Sequence, residues 1–520
     1  MKKLVVMLML GTSAMLPLAA QTLPTNDPML RKIWAQGMDS SQTYRLMQTL
    51  TDSIGPRLTG SPGMNAGEDW LVSMYTRWGI PARKEQYGTW IGWRRGISHA
   101  DLVAPRIRSL EGTLLAWSGG TKGKPSEGPV VILPDLADSA AYEGWYASAK
   151  GKHVLISFAE PTCRPDSSYK RYALPETFTK MNSERTEAKQ AWQGRLKKTG
   201  YSGRDLPKRL EAAGARGILT SLWSQGWGVD KIFQGRTATV PTMDLSCEDY
   251  GLVYRLAENN QAPVVRITAD AELLGDVPVF NVIGEIKGSE KPGEYVVLSA
   301  HFDSWDGSSG ATDNATGTVT MLEAMRILKQ LYPNPKRTIV VGHWSGEEQG
   351  LNGSRAYAED HPEIISGLQA LFNQDNGTGR VVSVGAVGLV GASPYLAKWF
   401  ARMPGEITSK VTLSFPGAPG SGGTDNASFA CYVTPAFGLG SLDWEYFSYT
   451  WHTNRDTFDK VVFDEIRNNA TMTAMLAYLA SEENDKLPRD QRVMPPGRDG
   501  QQQTWPVCTK AARSFGESMR

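Results

Sequence analysis

YVVLSAHFDSWDGSSGATDNATG, Tyr295 to Gly317, is the stretch that decides the fold. YVVLSA is a short apolar run with the character of a buried strand. HFDSWD follows it at once and carries His301 and Asp303. GATDNATG then places Asp313 at the mouth of a helix predicted from Ala315 to Leu331. The same order recurs downstream. RTIVVGHWS (Arg337 to Ser345) is a strand, Leu351 to Glu359 a helix and LQALFNQ (Leu368 to Gln374) a strand, all preceded by VFNVIGEIKG (Val279 to Gly288). Strand, loop and helix in repetition predict an α/β sheet covered by helices on both faces. In such a sheet, functional groups gather just beyond the carboxyl ends of the strands.

That is where the reactive side chains fall. SGEEQG after the second strand supplies Glu347 and Glu348, QDNGTG after the third supplies Asp375, and TWHTNRDTFD near the end supplies His452. One rim can therefore collect two imidazoles and four or five carboxylates. So many acids in one place repel one another and resist ionisation unless cations neutralise them. Metal ions do this economically. Imidazole and carboxylate without thiolate suit zinc, with cobalt or manganese as substitutes. In a two-metal site one carboxylate bridges the ions, a bound water loses its proton near neutral pH, and a further carboxylate serves as general base and acid. Each piece alone is common: HxD is usually incidental, a Glu-Glu pair after a strand is usually a solvated turn, and Asp before Asn-Gly is often a turn residue. The conjunction carries the weight, because four sets occur in order and three of them sit at predicted strand ends.

Outward from this region, 520 residues exceed one ordinary core and imply two folded units, or one unit with a large insertion. The first residues, MKKLVVMLMLGTSAMLPLAAQ, place Lys2 and Lys3 before an apolar run and small residues after it. Residues 1–20 are thus expected to be a signal peptide, with export to the periplasm or the extracellular space. The run is short for a membrane span, so stable membrane insertion is not expected. A net charge of +1 with mixed signs offers no basic stripe, which argues against nucleic acid as a partner. Cys163, Cys247, Cys431 and Cys508 show no metal-ligand spacing, and one or two disulfides are compatible with export, in a connectivity left open.

Two amphipathic helices are predicted before the catalytic region. One, from Thr43 to Ile54, sets Leu46, Met47, Leu50 and Ile54 on a face and is broken by GPRLTGSPG; the other carries Trp70, Leu71, Met74, Tyr75 and Trp78 and stops at Gly79. Between about 111 and 269 the texture changes to short β-rich runs, PVVIL and HVLISF, around a polar helical stretch from Glu176 to Leu196. That segment has His153 and many acids but nothing at metal-ligand spacing, so it is expected to be a lid or binding domain. The tail from 486 to 520, rich in Pro, Gly and Gln, either wraps the surface or is loose.

The order HxD, D, EE, D, H, together with GPRLTGSPG, resembles the co-catalytic dizinc exopeptidases, and the wording HFDSWD followed by GATDNATG resembles their carboxypeptidase Q-like subgroup. VPTMDLSCEDYGLVYRL (Val240 to Leu256) is similar to the closing pattern of the protease-associated domain of those enzymes. The resemblance runs from about Met38 to Leu479. It implies a mixed, mostly parallel sheet sandwiched by helices, a catalytic domain over 21–110 and 270–485, and an inserted β-rich protease-associated domain over 111–269. It implies two zinc ions per chain: His301, Asp313 and Asp375 on one, Asp313, Glu348 and His452 on the other, with Asp313 bridging. Glu347 would be the general base, and Asp303 would orient the His301 ring through its second nitrogen. Peptides, above all small peptides or dipeptides, are the implied substrate, and a homodimer is implied by analogy.

Other residues point less far. His343 inside a strand reads as packed rather than ligating, and His99, His153 and His361, without acidic partners at useful spacing, read as surface or structural. Asp456 could orient the His452 ring, although its counterpart in the family more often braces the loop. FPGAPGSGGTDNASF (Phe415 to Phe429) lacks the Lys of a P-loop and by resemblance borders the substrate pocket; Asn426 stands where the family often has His. Arg355, Arg380 and Lys460 could meet a substrate carboxylate, but each reads first as a surface charge. A single-zinc glutaminyl cyclase and a non-catalytic receptor on the same fold are the rival functions. The complete ligand set argues against both.

Overall fold

The structure, a computed structural model, describes residues 25–420, 422–497 and 500–518. The segment expected to be a signal peptide lies outside the described residues. At the centre is the predicted strand, Lys291–His301, running parallel to Arg337–Trp344 on one side and to Leu368–Asn373 on the other. Ala436–Ser441 continues the sheet in parallel beyond Leu368–Asn373. Every position of Arg337–Trp344 and Leu368–Asn373 is buried, as strands covered on both faces require.

Period-two alternation decides which core each side chain joins. Val296, Leu298, Ala300, Ile339, Val341, Ala370 and Phe372 face one core, together with the helices Thr316–Leu331 and Phe463–Glu482. Val297, Val340, Trp344 and Leu371 face the other, where Tyr357 and Ala358 of the helix Asn352–Asp360 meet them. The sheet is thus mixed, mostly parallel at its centre and sandwiched by helices. The early helices form as predicted in part: Thr43–Gln48 continues as a wider π-helical turn to Ile54, and Pro62–Arg77 is capped by Ser61, whose hydroxyl accepts the Met64 N–H.

Beyond Arg337–Trp344 the sheet turns antiparallel through Val264–Ile286, a 23-residue strand. It pairs along most of its length with the equally long Ala82–Ala104. At about 3.3 Å per residue such a ribbon reaches roughly 70 Å, enough to leave one core and enter another. Its far end joins Ser126–Ile132, followed in parallel by His153–Leu155, Gly217–Thr220 and Thr242–Leu245. The helices Pro175–Lys198 and Cys247–Glu258 flank these short strands. Two further cores lie here, one around Tyr142, Tyr146 and Ile218 within the intervening segment, and one that joins Leu219 and Met243 of that segment to Trp90, Trp93, Trp305 and Ala356 outside it.

All four cysteines are paired, Cys163 with Cys247 and Cys431 with Cys508. The second bridge ties the tail to the molecule. Arg513 then pairs with Glu359 and Asp360, and Phe515 packs edge-on against Trp90, so the described tail wraps the surface. Among the described residues no helix is long and apolar enough to cross a membrane.

Candidate metal centre

The centre is built at the carboxyl ends of the parallel strands. His301 is the last residue of its strand, buried, with Nδ1 3.0 Å from the Asp303 carbonyl oxygen and 3.6 Å from its carboxylate. Its Nε2 lies 3.2 Å from Asp375 Oδ1 and 3.3 Å from Asp313 Oδ1. The other carboxylate oxygen of Asp313 faces the opposite way, 3.2 Å from His452 Nε2, and that nitrogen is 2.8 Å from Glu348 Oε2. Two clusters result, His301–Asp313–Asp375 and Asp313–Glu348–His452, each with ligand atoms within 4.8 Å of one another. Asp313 belongs to both.

Local structure explains how Asp313 reaches this place. The turn Ala311–Ala315 enters the helix with Asp313 and Asn314 in non-helical conformations. Asp456 accepts the Thr312 and Asp313 main-chain N–H groups at 2.8 and 3.0 Å. Asp456 therefore braces the turn instead of orienting the His452 ring. Asn314 Nδ2 donates to the Gln374 carbonyl at 2.9 Å, and Asn314 Oδ1 accepts the Gly317 N–H, which joins the turn to the strand end that presents Asp375.

Asp303 is fully buried and accepts three hydrogen bonds, from Thr59 Oγ1 and from the main-chain N–H groups of Glu347 and Glu348. It thus fixes the turn on which the two glutamates sit. Behind it, fully buried Arg57 donates to the carbonyls of Gly55, Phe302, Ser309 and Gly310. Burial pulls its guanidinium down to about 10, opposed by Asp456, Asp303 and Asp313.

The electrostatics show a site short of positive charge. Burial works against an imidazolium, yet Asp375, Glu347, Asp303 and Asp313 push His301 well above its ordinary value. Against the same opposition, Glu348 and Asp313 push His452 up to about 10. Burial favours the neutral acid at Asp313, but the two imidazoles hold it well below the usual carboxylate range. Burial raises Glu348 to about 7 and Glu347 well above the usual range, with His452 and His301 respectively opposing. Among the described residues, Asp313 Oδ2 and Glu348 Oε1, both in the second cluster, are buried and have no hydrogen-bond partner. Two imidazoles and three carboxylates that converge in this way suit a pair of divalent cations.

Residues 281–477 match the model of Peptidase family M28. The matched residues hold the central parallel strands, the turn and both clusters. This chain is a metallo-exopeptidase that carries a Peptidase M28 domain. Over its length it is similar to carboxypeptidase Q of Rattus norvegicus, 26% identical over 453 residues that cover 87% of this chain and 88% of the relative. Carboxypeptidase Q of Xenopus laevis is 26% identical with the same coverage. Among solved structures, the Peptidase M28 precursor of Shewanella amazonensis SB2B superposes with a TM-score of 0.64 at 23% identity, covering 90% of this chain and 98% of that one. BSAP, a zinc aminopeptidase from Bacillus subtilis, does so with a TM-score of 0.54 at 19% identity, covering 87% and 97%. These two share the fold.

The remaining histidines of this chain lie apart from the clusters. His343 is packed, its Nε2 2.6 Å from the Tyr75 hydroxyl, and burial lowers it to about 3. His153 lies in the core of the intervening segment, and His99 is largely exposed. The expectation that these rings lack acidic partners needs correction at His361, which sits 2.6 Å from Glu85 and 2.8 Å from Glu363, and at His99, which is 3.6 Å from Asp101. Glu85 is too distant in the chain to be seen from spacing. Arg380 is held by Glu465 and Lys460 by Asp459. Asn426 Nδ2 donates to the Ala436 carbonyl, which settles its contact within the fold. Three residues near the centre carried no assigned role in the sequence: Arg57, Asp425 and Tyr446. Asp425 is completely buried with both carboxylate oxygens unpartnered, and burial raises it to about 7. Burial and the carboxylates Asp313 and Asp375 push the Tyr446 phenol upward. Arg57 lies in GPRLTGSPG and Asp425 in FPGAPGSGGTDNASF, and those two motifs were the available signals.

Proposed function

We propose that this exopeptidase hydrolyses the peptide bond next to a chain terminus, or in a dipeptide, with two zinc ions and a glutamate general base. His301, Asp313 and Asp375 would hold one ion; Asp313, Glu348 and His452 would hold the other. The observation that carries this is the Asp313 carboxylate, whose oxygens face His301 Nε2 at 3.3 Å and His452 Nε2 at 3.2 Å. One group shared between two ligand sets is what a bridging ligand requires. The absence of thiolate among the donors supports zinc, as does the zinc named for the B. subtilis aminopeptidase of similar fold.

Bound zinc would supply Lewis acidity toward a water and toward the scissile carbonyl. The chain's own residues do the rest. Asp303 holds the main-chain N–H groups of both glutamates, so Glu348 is aimed at the cluster while its neighbour Glu347 is left for proton transfer. Glu347 removes a proton from the attacking water as its oxygen bonds to the carbonyl carbon. The same carboxyl then gives that proton to the amine nitrogen as the C–N bond breaks. The names of the relatives point to both termini, a carboxypeptidase and an aminopeptidase, and dipeptides or small peptides are compatible with each. The two disulfides support an exported protein.

Elemental analysis of the mature protein, beside peptide hydrolysis with and without a chelator, tests this. About two zincs per chain, with cleavage that the chelator removes and zinc restores, is expected. One zinc with pyroglutamate formation would move the chain to the cyclase reaction, and neither metal nor turnover would leave a binding protein.

A further inference from the structure

His452 differs from His301 in how its ring is held. A metal-ligating histidine ordinarily donates its second ring nitrogen to a carbonyl or carboxylate, which sets the ring's orientation. His301 has such a partner in the Asp303 carbonyl, whereas His452 Nδ1 is buried and has none among the described residues. The backbone of His452 is also in the left-handed region, at φ 53°. Non-glycine residues seldom adopt that conformation, so the surroundings must impose it.

Trp305 meets the ring from outside the intervening segment, with centroids 6.1 Å apart, and that segment supplies the contacts that anchor the loop. The hairpin Trp223–Gly226 and Val229–Asp230 extends to Phe233 and lies along the loop that carries His452. Ile232 N–H donates to the His452 carbonyl at 2.7 Å. Asp230 and Asn454 exchange two hydrogen bonds at 3.0 Å, and Asn454 Nδ2 and Arg455 Nε both donate to the Gly228 carbonyl at 3.1 Å. Lys231 makes the most specific contact. Its ammonium donates at 2.8 Å to the carbonyls of Phe447 and Trp451 and stands 4.5 Å from the centre of the Trp451 ring. Trp451 in turn stacks on the His452 imidazole, centroids 3.8 Å apart and planes 22° from parallel. Phe233 meets the same imidazole edge-on at 5.1 Å.

We propose that the intervening segment is a working part of the metal centre, with Lys231 the positioning residue that fixes Trp451 and, through it, the His452 ring. Stacking and loop anchoring replace the missing hydrogen bond at Nδ1. Only one of the two ions depends on this arrangement, because His301 ends and Asp375 closely follows strands of the central sheet, with which the hairpin does not pair. The proposal rests on the dizinc reading above.

The test is zinc retention by the full chain under graded chelator, together with thermal unfolding of the zinc-free protein, for the wild type, Lys231→Met, Lys231→Arg and Phe233→Leu. Lys231→Met keeps the aliphatic stem and removes the ammonium. It is expected to release one ion at a roughly 10- to 100-fold lower chelator activity, the scale of second-sphere losses. The other ion is expected to stay as in the wild type, and the zinc-free unfolding midpoint to be unchanged. Lys231→Arg, which can also donate to two carbonyls, is expected to recover most of the loss, and Phe233→Leu to weaken the same ion. Two ions held as tightly by Lys231→Met and Phe233→Leu as by the wild type would overturn the proposal. So would loss of both ions together, or a fall in zinc-free stability that accounts for the release. A wild-type chain that binds fewer than two zincs would instead overturn the dizinc reading, and this proposal with it.

Discussion

At the scale of single residues, the proposed function gives adjacent glutamates separable roles because one turn aims them differently. Glu348 Oε2 is 2.8 Å from His452 Nε2, inside a cluster of ligand atoms, whereas Glu347 belongs to neither cluster. Glu347→Gln is therefore expected to lower kcat by at least 100-fold with zinc content kept, and Glu348→Ala to lose zinc as well as turnover. Elemental analysis beside the kinetics checks this, and equal zinc in both variants would sink the division. Arg57 is a different case, a buried cation serving four main-chain carbonyls. Arg57→Met leaves those carbonyls and the nearby Asp303 and Asp456 without it, which is expected to cost about 3 kcal/mol or more. Thermal unfolding would show it. Lysine, with three donors and no planar fork, is expected to rescue little.

At the scale of elements, the junction of strand and helix is where geometry is most exacting. Gly317 sits at the start of the helix Thr316–Leu331, where an added Cβ would lie 2.4 Å from both Asn314 Oδ1 and the Gln374 carbonyl. Alanine favours a helix interior by about 1 kcal/mol. The clash costs more, because the turn that carries Asp313 and the strand end before Asp375 would have to part. Gly317→Ala is expected to destabilise by roughly 1–3 kcal/mol and to reduce bound zinc, as unfolding and elemental analysis would reveal. In the second core, the strand His153–Leu155 buries a neutral imidazole, lowered to about 4 by burial. Above pH 6.5 the ring is neutral both folded and unfolded and gives no pH dependence. Between 6.5 and about 4 the unfolded chain takes up a proton that the folded chain does not, so stability falls with pH by at most roughly 3 kcal/mol and then levels. Stability of His153→Gln, subtracted from that of the wild type across this window, isolates the slope. No difference in slope would mean that the ring is protonated or exposed in the fold.

At the scale of the whole molecule, covalent ties hold distant parts together. Cys163–Cys247 closes a separation of 84 residues and Cys431–Cys508 one of 77. Loop-closure entropy assigns each about 4–5 kcal/mol of destabilisation to the unfolded chain. Reduction is expected to lower the unfolding midpoint markedly while two zincs remain bound below it, since no cysteine lies in either cluster. Loss of zinc on reduction at a temperature where the chain stays folded would contradict that separation.

The sequence by itself determined the central sheet and the donor types. Val296 to Ala300, Ile339 to Val341 and Ala370 to Phe372 alternate between two cores, and period-two alternation is a local property of the chain. His301 and Asp375 were legible for the same reason, since each ends or directly follows such a strand. The long ribbon Ala82–Ala104 with Val264–Ile286 was not, because RRGISHADLVA mixes polar and apolar residues about equally and its strand character comes from a partner about 170 residues away. Pairing of that kind is non-local. Arg57, Asp425 and the Lys231 hairpin were hidden for the same physical reason: a lone arginine, aspartate or lysine takes its meaning from burial and from neighbours that only folding supplies. Tertiary structure alone decided that one carboxylate would face two imidazoles, and that a segment outside the catalytic sheet would hold one of those rings in place.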